Sequence, residues 1–96
     1  MTKVWARAMT KDKIVLDRVF ELDDDFDDDN FFQQVASICQ AMDVSTPVVL
    51  QKHISEMKKF NHAAFLANEF IESVNFDKFI VERIDDEEKK ENPFYI

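Results

Sequence analysis

Carboxylates dominate the candidate chemistry of this sequence, because seven of the nine residues at positions 21–29 are acidic. Crowded carboxylates can bind a cation, bind a basic partner, or lie at a helix N-terminus, where the backbone dipole stabilises negative charge. From Asp23 onward the acids match the first three ligand positions of a calcium loop, but Asp28 stands where that loop needs glycine and Gln34 where it needs glutamate. The sequence therefore excludes an EF-hand and predicts no built metal site, which leaves loose binding of a divalent ion open.

The acidic run divides into two parts. The acids at positions 27–29 directly precede an apolar helical pattern that starts at Phe31, and this placement is typical of helix-start residues. Asp23, Asp24 and Asp25 have no comparable local role, and we expect them on a solvated connection. These three acids are the predicted surface for a basic partner or a cation.

Cys39, His53 and His62 are the other candidates for catalysis or metal binding. Cys39 and His53 fall on the apolar sides of predicted helices, which is typical of an inert buried thiol and a helix-packing histidine. His53 and His62 are too far apart in sequence to share one helix face as a ligand pair. The chain has no glycine, so it also lacks the loops that bring a backbone close to a phosphate. We predict no catalytic residue, no cofactor and no enzyme activity.

The composition indicates one small folded domain. The chain has 96 residues, and 46% of them are hydrophobic, which is too apolar for intrinsic disorder. Its net charge of -8 argues against direct nucleic-acid binding, which uses basic faces. No apolar stretch approaches the roughly 20 residues that span a bilayer, and a charge follows the N-terminus too soon for a secretory signal. We therefore expect a cytoplasmic protein that makes no membrane contact.

A period of two predicts the strands. Val4, Ala6 and Ala8 alternate with polar or larger residues, four polar residues follow at positions 10–13, and residues 14–22 resume the alternation. This pattern predicts an N-terminal β-hairpin in which Ile14 shares a face with Leu16, Phe20 and Leu22. The same period over residues 76–84 predicts a final strand with both faces partly covered.

Apolar residues at helical spacing predict three helices between the hairpin and the final strand. The first runs over residues 28–42. Thr46 and Pro47 suit the N-cap and first positions of the second, which runs to about residue 60. The apolar residues from Phe65 to Val74 predict a short third helix.

These elements predict an α+β fold in the order ββααβ, with the short third helix before the last strand. Residues 1–84 form the single domain, in which a small three-stranded sheet carries the helices on one face. Residues 85–96 form a charged tail that ends in an apolar segment. The order of the strands within the sheet is left open.

The C-terminal tail supplies a second predicted partner surface, Phe94, Tyr95 and Ile96. Asn92 and Pro93 complete a short turn motif of the kind that adaptor domains read. We favour the interpretation that the three apolar residues fold back on the domain or cross to another subunit.

Three regions of the chain also carry a resemblance. They are Val4-Trp5-Ala6-Arg7, then Pro47-Val48-Val49-Leu50 with Met57-Lys58-Lys59-Phe60, and Phe70-Ile71-Glu72 with Asn75-Phe76-Asp77-Lys78-Phe79. With these motifs, residues 4–84 resemble a family of small uncharacterised bacterial proteins of about 90 residues. The resemblance implies a cytoplasmic single-domain protein and supplies no activity, cofactor or site residue.

The sequence thus predicts a small non-enzymatic interaction or accessory domain. It would form a homodimer or bind another protein through apolar surface near the C-terminal tail. The alternative is an acidic modulator or mimic that docks a basic or nucleic-acid-binding partner through Asp23, Asp24 and Asp25.

Overall fold

The chain begins with a long β-hairpin in the computed structural model, which describes residues 2–84. Strand β1 (Thr2–Thr10) pairs antiparallel with strand β2 (Lys13–Leu22). The predicted alternation along β1 is confirmed, since Val4, Ala6 and Ala8 are fully buried. Their small and β-branched side chains let the helices pack closely on this face of the sheet.

A two-residue turn closes the hairpin without glycine. Lys11 and Asp12 both have positive φ angles, 53° and 65°, which a type I′ turn requires. Any residue with a Cβ pays a steric cost in this conformation. The Asp77 carboxylate accepts the Lys11 backbone N–H at 2.8 Å and helps to hold the turn.

The hairpin register shifts near the turn. Ala8 pairs with Leu16, whereas the next residue, Met9, pairs with Ile14, so Val15 is the extra residue of a β-bulge. The predicted register, which was open by one residue on this strand, is wrong at Ile14, because Ile14 does not share the face of Leu16. The bulge moves Ile14 to the opposite face, beside Met9.

Four strands, rather than the predicted three, form the antiparallel sheet. Strand β3 (His62–Leu66) and strand β4 (Lys78–Ile84) complete it in the order β2-β1-β4-β3. The predicted third helix is wrong, because its first residues belong to β3 and only a 3-10 turn follows, at Ala67–Glu69. The final strand is confirmed, with Phe79 and Val81 fully buried on the same side of β4.

Two helices lie on one face of the sheet, α1 (Phe31–Ala41) and α2 (Gln51–Phe60). Both start later than the sequence predicts. Ahead of α2 the chain is extended, since Pro47 forms an isolated β-bridge with Phe70. No helix within residues 2–84 is long and apolar enough to cross a membrane.

The core lies between the helices and the sheet. Phe31 of α1 stacks near Phe65 of β3, with ring centroids 6.4 Å apart. His53 of α2 stacks on the same Phe65 ring at 4.2 Å. The β2 edge of this core is less covered, and Leu16 keeps 43% of its surface exposed. The opposite face of the sheet carries neither helix.

Candidate functional site

The acidic segment ahead of α1 is a folded turn. The Asp27 carboxylate accepts the backbone N–H groups of Asp29 and Asn30 at 2.9 and 2.8 Å, and the Asn30 side chain accepts the Asp27 N–H at 2.8 Å. These bonds satisfy backbone donors just before the helix. The prediction that the acids at positions 27–29 cap and charge the first turn of this helix is wrong, because α1 starts at Phe31 and its first turn holds no acidic residue. Asp27 instead orders the turn that leads into the helix.

Two further acids bind cations of other elements. Asp28 pairs with Lys58 of α2 at 2.8 Å. Both carboxylate oxygens of Asp25 accept from the Arg83 guanidinium of β4 at 2.7 Å. Partial burial alone would raise the pKa of Asp25, but the bonds from Arg83 and the Phe26 N–H hold that pKa below its ordinary value. Asp25, which the sequence left without a structural reason, thus ties the acidic turn to the sheet.

Asp23 and Asp24 remain exposed in the same segment. The Asp24 carbonyl oxygen accepts a hydrogen bond from the Gln34 side chain at 3.0 Å, which leaves the Asp24 carboxylate toward solvent. The second predicted surface, Phe94, Tyr95 and Ile96, lies outside the described residues. Within residues 2–84, no three His, Cys, Asp or Glu side chains are grouped to hold a metal ion.

A buried polar cluster forms at the start of α2. His53 is fully buried, and its Nδ1 accepts the backbone N–H of Leu50 at 2.9 Å. The ring proton therefore lies on Nε2, which is 3.1 Å from the Glu69 carboxylate. Glu69 also accepts the Leu66 N–H at 2.8 Å and forms an ion pair with Lys52. Each nitrogen of His53 already has a partner, so the ring acts as a helix cap.

Glu69 is held as a carboxylate by these contacts. Burial on its own would raise the pKa of Glu69, but the hydrogen bonds from Lys52, the Leu66 N–H and His53 lower that pKa from 4.5 to about 2. The sequence gives little sign of this residue's role, because two of its partners, Lys52 and His53, lie on α2, far away along the chain. The only local signal was a carboxylate placed three residues after Leu66, ready to bond back to that N–H.

Cys39 is an unreactive thiol. Its side chain is fully buried in α1, and this burial raises the pKa of the thiol to about 12. Thiolate is the nucleophilic form of cysteine, so little of it exists near neutral pH. Because both nitrogens of His53 bind other groups, the two residues do not form a nucleophile and base pair.

A groove of about 1010 Å³ lies between the turn end of the hairpin and the loops after α1 and before β4. Its walls include Leu16, Met42 and Phe76. The Thr10 hydroxyl on the same wall is buried and has no hydrogen-bond partner within residues 2–84. Asp43 is the one charged residue that lines this groove.

A further candidate surface is the sheet face that neither helix covers, which we call the open face. The strand register places its residues in four rows that cross β2, β1, β4 and β3 in that order. The rows are Glu21, Lys3, Ile84; then Val19, Trp5, Glu82, His62; then Asp17, Arg7, Ile80, Ala64; and finally Ile14, Met9, Lys78, Leu66. Three of its apolar side chains are strongly exposed, with 52% of Val19, 45% of Ile14 and 44% of Leu66 open to solvent.

Three charged residues of the open face, Asp17, Arg7 and Glu82, contact one another or Trp5 within the face. The Trp5 indole N–H donates to Asp17 at 3.0 Å, and the Arg7 guanidinium lies 4.0 Å from the centre of the Trp5 ring. Arg7 also pairs with Glu82 at 3.0 Å. A cation between an aromatic ring and two carboxylate neighbours needs little further compensation from water.

Sequence analysis described the alternation on these strands but did not identify the open face as a site. It had assigned Trp5, Arg7 and Met9 to the side of β1 away from Val4, without knowing that β3 and β4 extend that side. The cross-strand pair of Asp17 with Arg7 was the available signal, because opposite charges pair across neighbouring strands. The pair of Asp17 with Arg7 can be predicted only from the hairpin register, and the bulge makes that register hard to predict from sequence.

No protein family, curated protein or solved structure matches the chain in comparisons of its sequence and fold. The resemblance to small bacterial proteins therefore stays a prediction. The case for function accordingly depends on the surfaces described above.

Proposed function

We propose that this protein is a small non-enzymatic interaction domain that binds another protein chain through the open face. The observation that carries the proposal is an exposed set of apolar side chains on one face of the sheet, beside an Arg7–Glu82 ion pair that lies within the same face. Burial of such a face removes apolar surface from water at a gain of roughly 25 cal/mol per Å². Arg7 and Glu82 would enter the interface as an ion pair, which lowers the cost of burying these two charges.

The state of the reactive side chains supports a role without catalysis. Cys39 has a raised pKa and is buried, and His53 caps α2 with both nitrogens engaged. Glu69 is neutralised by Lys52 and is nearly buried, with 11% of its side chain exposed. These three groups stabilise the fold, and a protein-binding role requires none of them to react. We place such a protein in the cytoplasm, where its single thiol stays reduced.

The alternative function, an acidic modulator of a basic or nucleic-acid-binding partner, has less support. Asp25, Asp27 and Asp28 each spend their carboxylates on bonds inside the domain. Among the described residues, the acids of the turn whose carboxylates make no such bond are Asp23, Asp24 and Asp29. Three free carboxylates are too few to imitate a nucleic-acid backbone over a broad surface.

Protein capture with matched variants tests the proposal. Val19→Glu places a charge in the open face, whereas Ile71→Glu makes the same charge change at an 82% exposed residue outside it. We expect the wild-type protein and Ile71→Glu, immobilised and exposed to an extract of the native host, to retain the same protein chain. The amount of that chain retained by Val19→Glu should be at least tenfold lower. Equal retention of every captured protein by both variants would contradict an interaction role for the open face.

A further inference from the structure

We infer that the chain bound on the open face is a second copy of this protein, packed sheet to sheet about a two-fold axis that lies between the two sheets. This inference rests on the proposed function and names its partner. It depends on three properties of the open face, which are its net charge, the positions of its charges and its size.

The open face is neutral in a strongly acidic molecule. It carries three cations and three anions, which sum to zero, while the whole chain carries -8. These charges are Lys3, Arg7, Lys78, Asp17, Glu21 and Glu82. Two copies repel each other through most of their surfaces, and a neutral face is where that repulsion is least. A strongly basic partner would gain nothing from this face and would prefer the acidic remainder.

The positions of the charges also suit a second copy. With the two-fold axis across the strands, each strand lies over its own reversed copy, so the first row of the open face meets the fourth and the second row meets the third. Trp5 then faces Arg7 of the other copy, and Glu82 faces Ile80. Every charged residue of the face lies opposite an apolar or aromatic residue in this arrangement, because the register alternates the two kinds along each strand.

An axis parallel to the strands gives the same outcome for five of the six charged residues, while Glu21 lies beyond the end of β3. It places β1 over β4 of the other copy, so Arg7 faces Ile80 and Lys78 faces Met9. No two like charges meet in either arrangement. Packed sheets align within about 30°, which keeps these row-to-row neighbours close. The pattern of the open face is therefore compatible with itself, which a two-fold interface requires.

The size of the open face indicates a dimer of modest affinity. Four strands about 4.8 Å apart and seven residues that rise about 3.3 Å each span roughly 19 by 23 Å, or roughly 440 Å² in projection. Side-chain relief brings the accessible area toward ~600 Å² per partner, the lower limit for specific interfaces. We therefore expect association in the micromolar range, visible as a dependence of mass on concentration.

Sedimentation equilibrium of the full chain over a dilution series tests the inference. The wild-type mass should rise from 11.3 kDa toward twice that value as concentration increases. Val19→Glu and, at the other edge of the face, Leu66→Glu should each weaken association at least tenfold. Ile71→Glu should associate as the wild type does, which excludes the added negative charge alone as the cause. Circular dichroism confirms that each variant is folded before its mass is interpreted.

Three outcomes would overturn the inference. First, if the measured mass of the wild-type chain stays at 11.3 kDa at every concentration, no second copy binds the open face. Equal association of Val19→Glu, Leu66→Glu and wild type would place the dimer interface elsewhere. If Ile71→Glu weakened association as much as Val19→Glu and Leu66→Glu do, the added negative charge alone would explain the loss. The proposed function is tested separately. If the chain is monomeric but still captures a different protein, and Val19→Glu abolishes that capture, the proposed function stands and only the second copy is excluded.

Discussion

Several charged side chains stabilise the protein's own structure at the scale of single residues. Asp25 joins the acidic turn to Arg83 of β4, and Asp27 satisfies the backbone ahead of α1. Glu69 joins the start of α2 to the end of β3 through His53 and the Leu66 N–H. Sequence analysis identified the acids by their density, yet the strongest shift of pKa among the described carboxylates belongs to Glu69, which stands alone in the sequence.

Glu69 gives the fold a dependence on acid. Its pKa falls from 4.5 in the unfolded chain to about 2 in the folded one, so its contribution is complete above pH 4.5 and is lost as the pH drops toward 2. The Glu69→Gln variant cannot make this contribution, and we expect its free energy of unfolding at pH 7 to be lower by roughly 2 to 3 kcal/mol. Urea denaturation across the acid range provides the measurement. The wild type and the variant should converge near pH 2, and a constant difference between them would contradict the assignment.

The elements that follow local periodicity were the ones predicted correctly. The hairpin and the final strand show a period of two that no distant contact has to supply. The predicted third helix failed because the spacing of Phe65, Phe70 and Ile71 suits a helix, although Ile71 is 82% exposed. The residues Ala63 and Phe65 are fully buried as alternate positions of β3, which pairs with the otherwise free edge of β4. That long-range pairing is not present in local sequence.

The candidate site was predicted in part for the same reason. The acids and the C-terminal apolar residues are visible as runs in the sequence, whereas the open face brings Trp5, Asp17 and Glu82 together from three strands. Its composition depends on the strand order, which the sequence left open, and on the bulge that moves Ile14 beside Met9. A surface built from several strands can be identified only once the strand order and the pairing register of the sheet are known.

The hairpin turn offers a test at the scale of one element. Asp12 holds a left-handed conformation with φ of 65°, which glycine adopts without a Cβ clash. We expect Asp12→Gly to raise the free energy of unfolding by about 0.5 to 1 kcal/mol, because the second central position of a type I′ turn favours glycine. The matched variant Asp12→Ala should lower it. Thermal denaturation of both variants provides the measurement. If Asp12→Ala were as stable as Asp12→Gly, the turn assignment would be contradicted.

Residues 2–84 form one side that is packed against the helices and one open side. The core lies between the sheet and the two helices, while the other side of the sheet presents apolar residues beside the Arg7–Glu82 ion pair. A domain of this size buries only a little over ~60% of the surface that its unfolded chain exposes, so a second copy adds buried area that one copy lacks. The central claim is that the open face is an interface.

Trp5 reports directly on that interface, because it is the one tryptophan of the chain and lies in the second row of the open face. Quenching of its fluorescence by acrylamide measures how much of the indole a small solute can reach. Over the dilution series used for sedimentation, quenching should decrease as concentration rises, and it should stay unchanged for Val19→Glu. If the mass of the wild-type protein doubles with concentration but the quenching of Trp5 does not change, Trp5 does not lie at the interface and the account is contradicted.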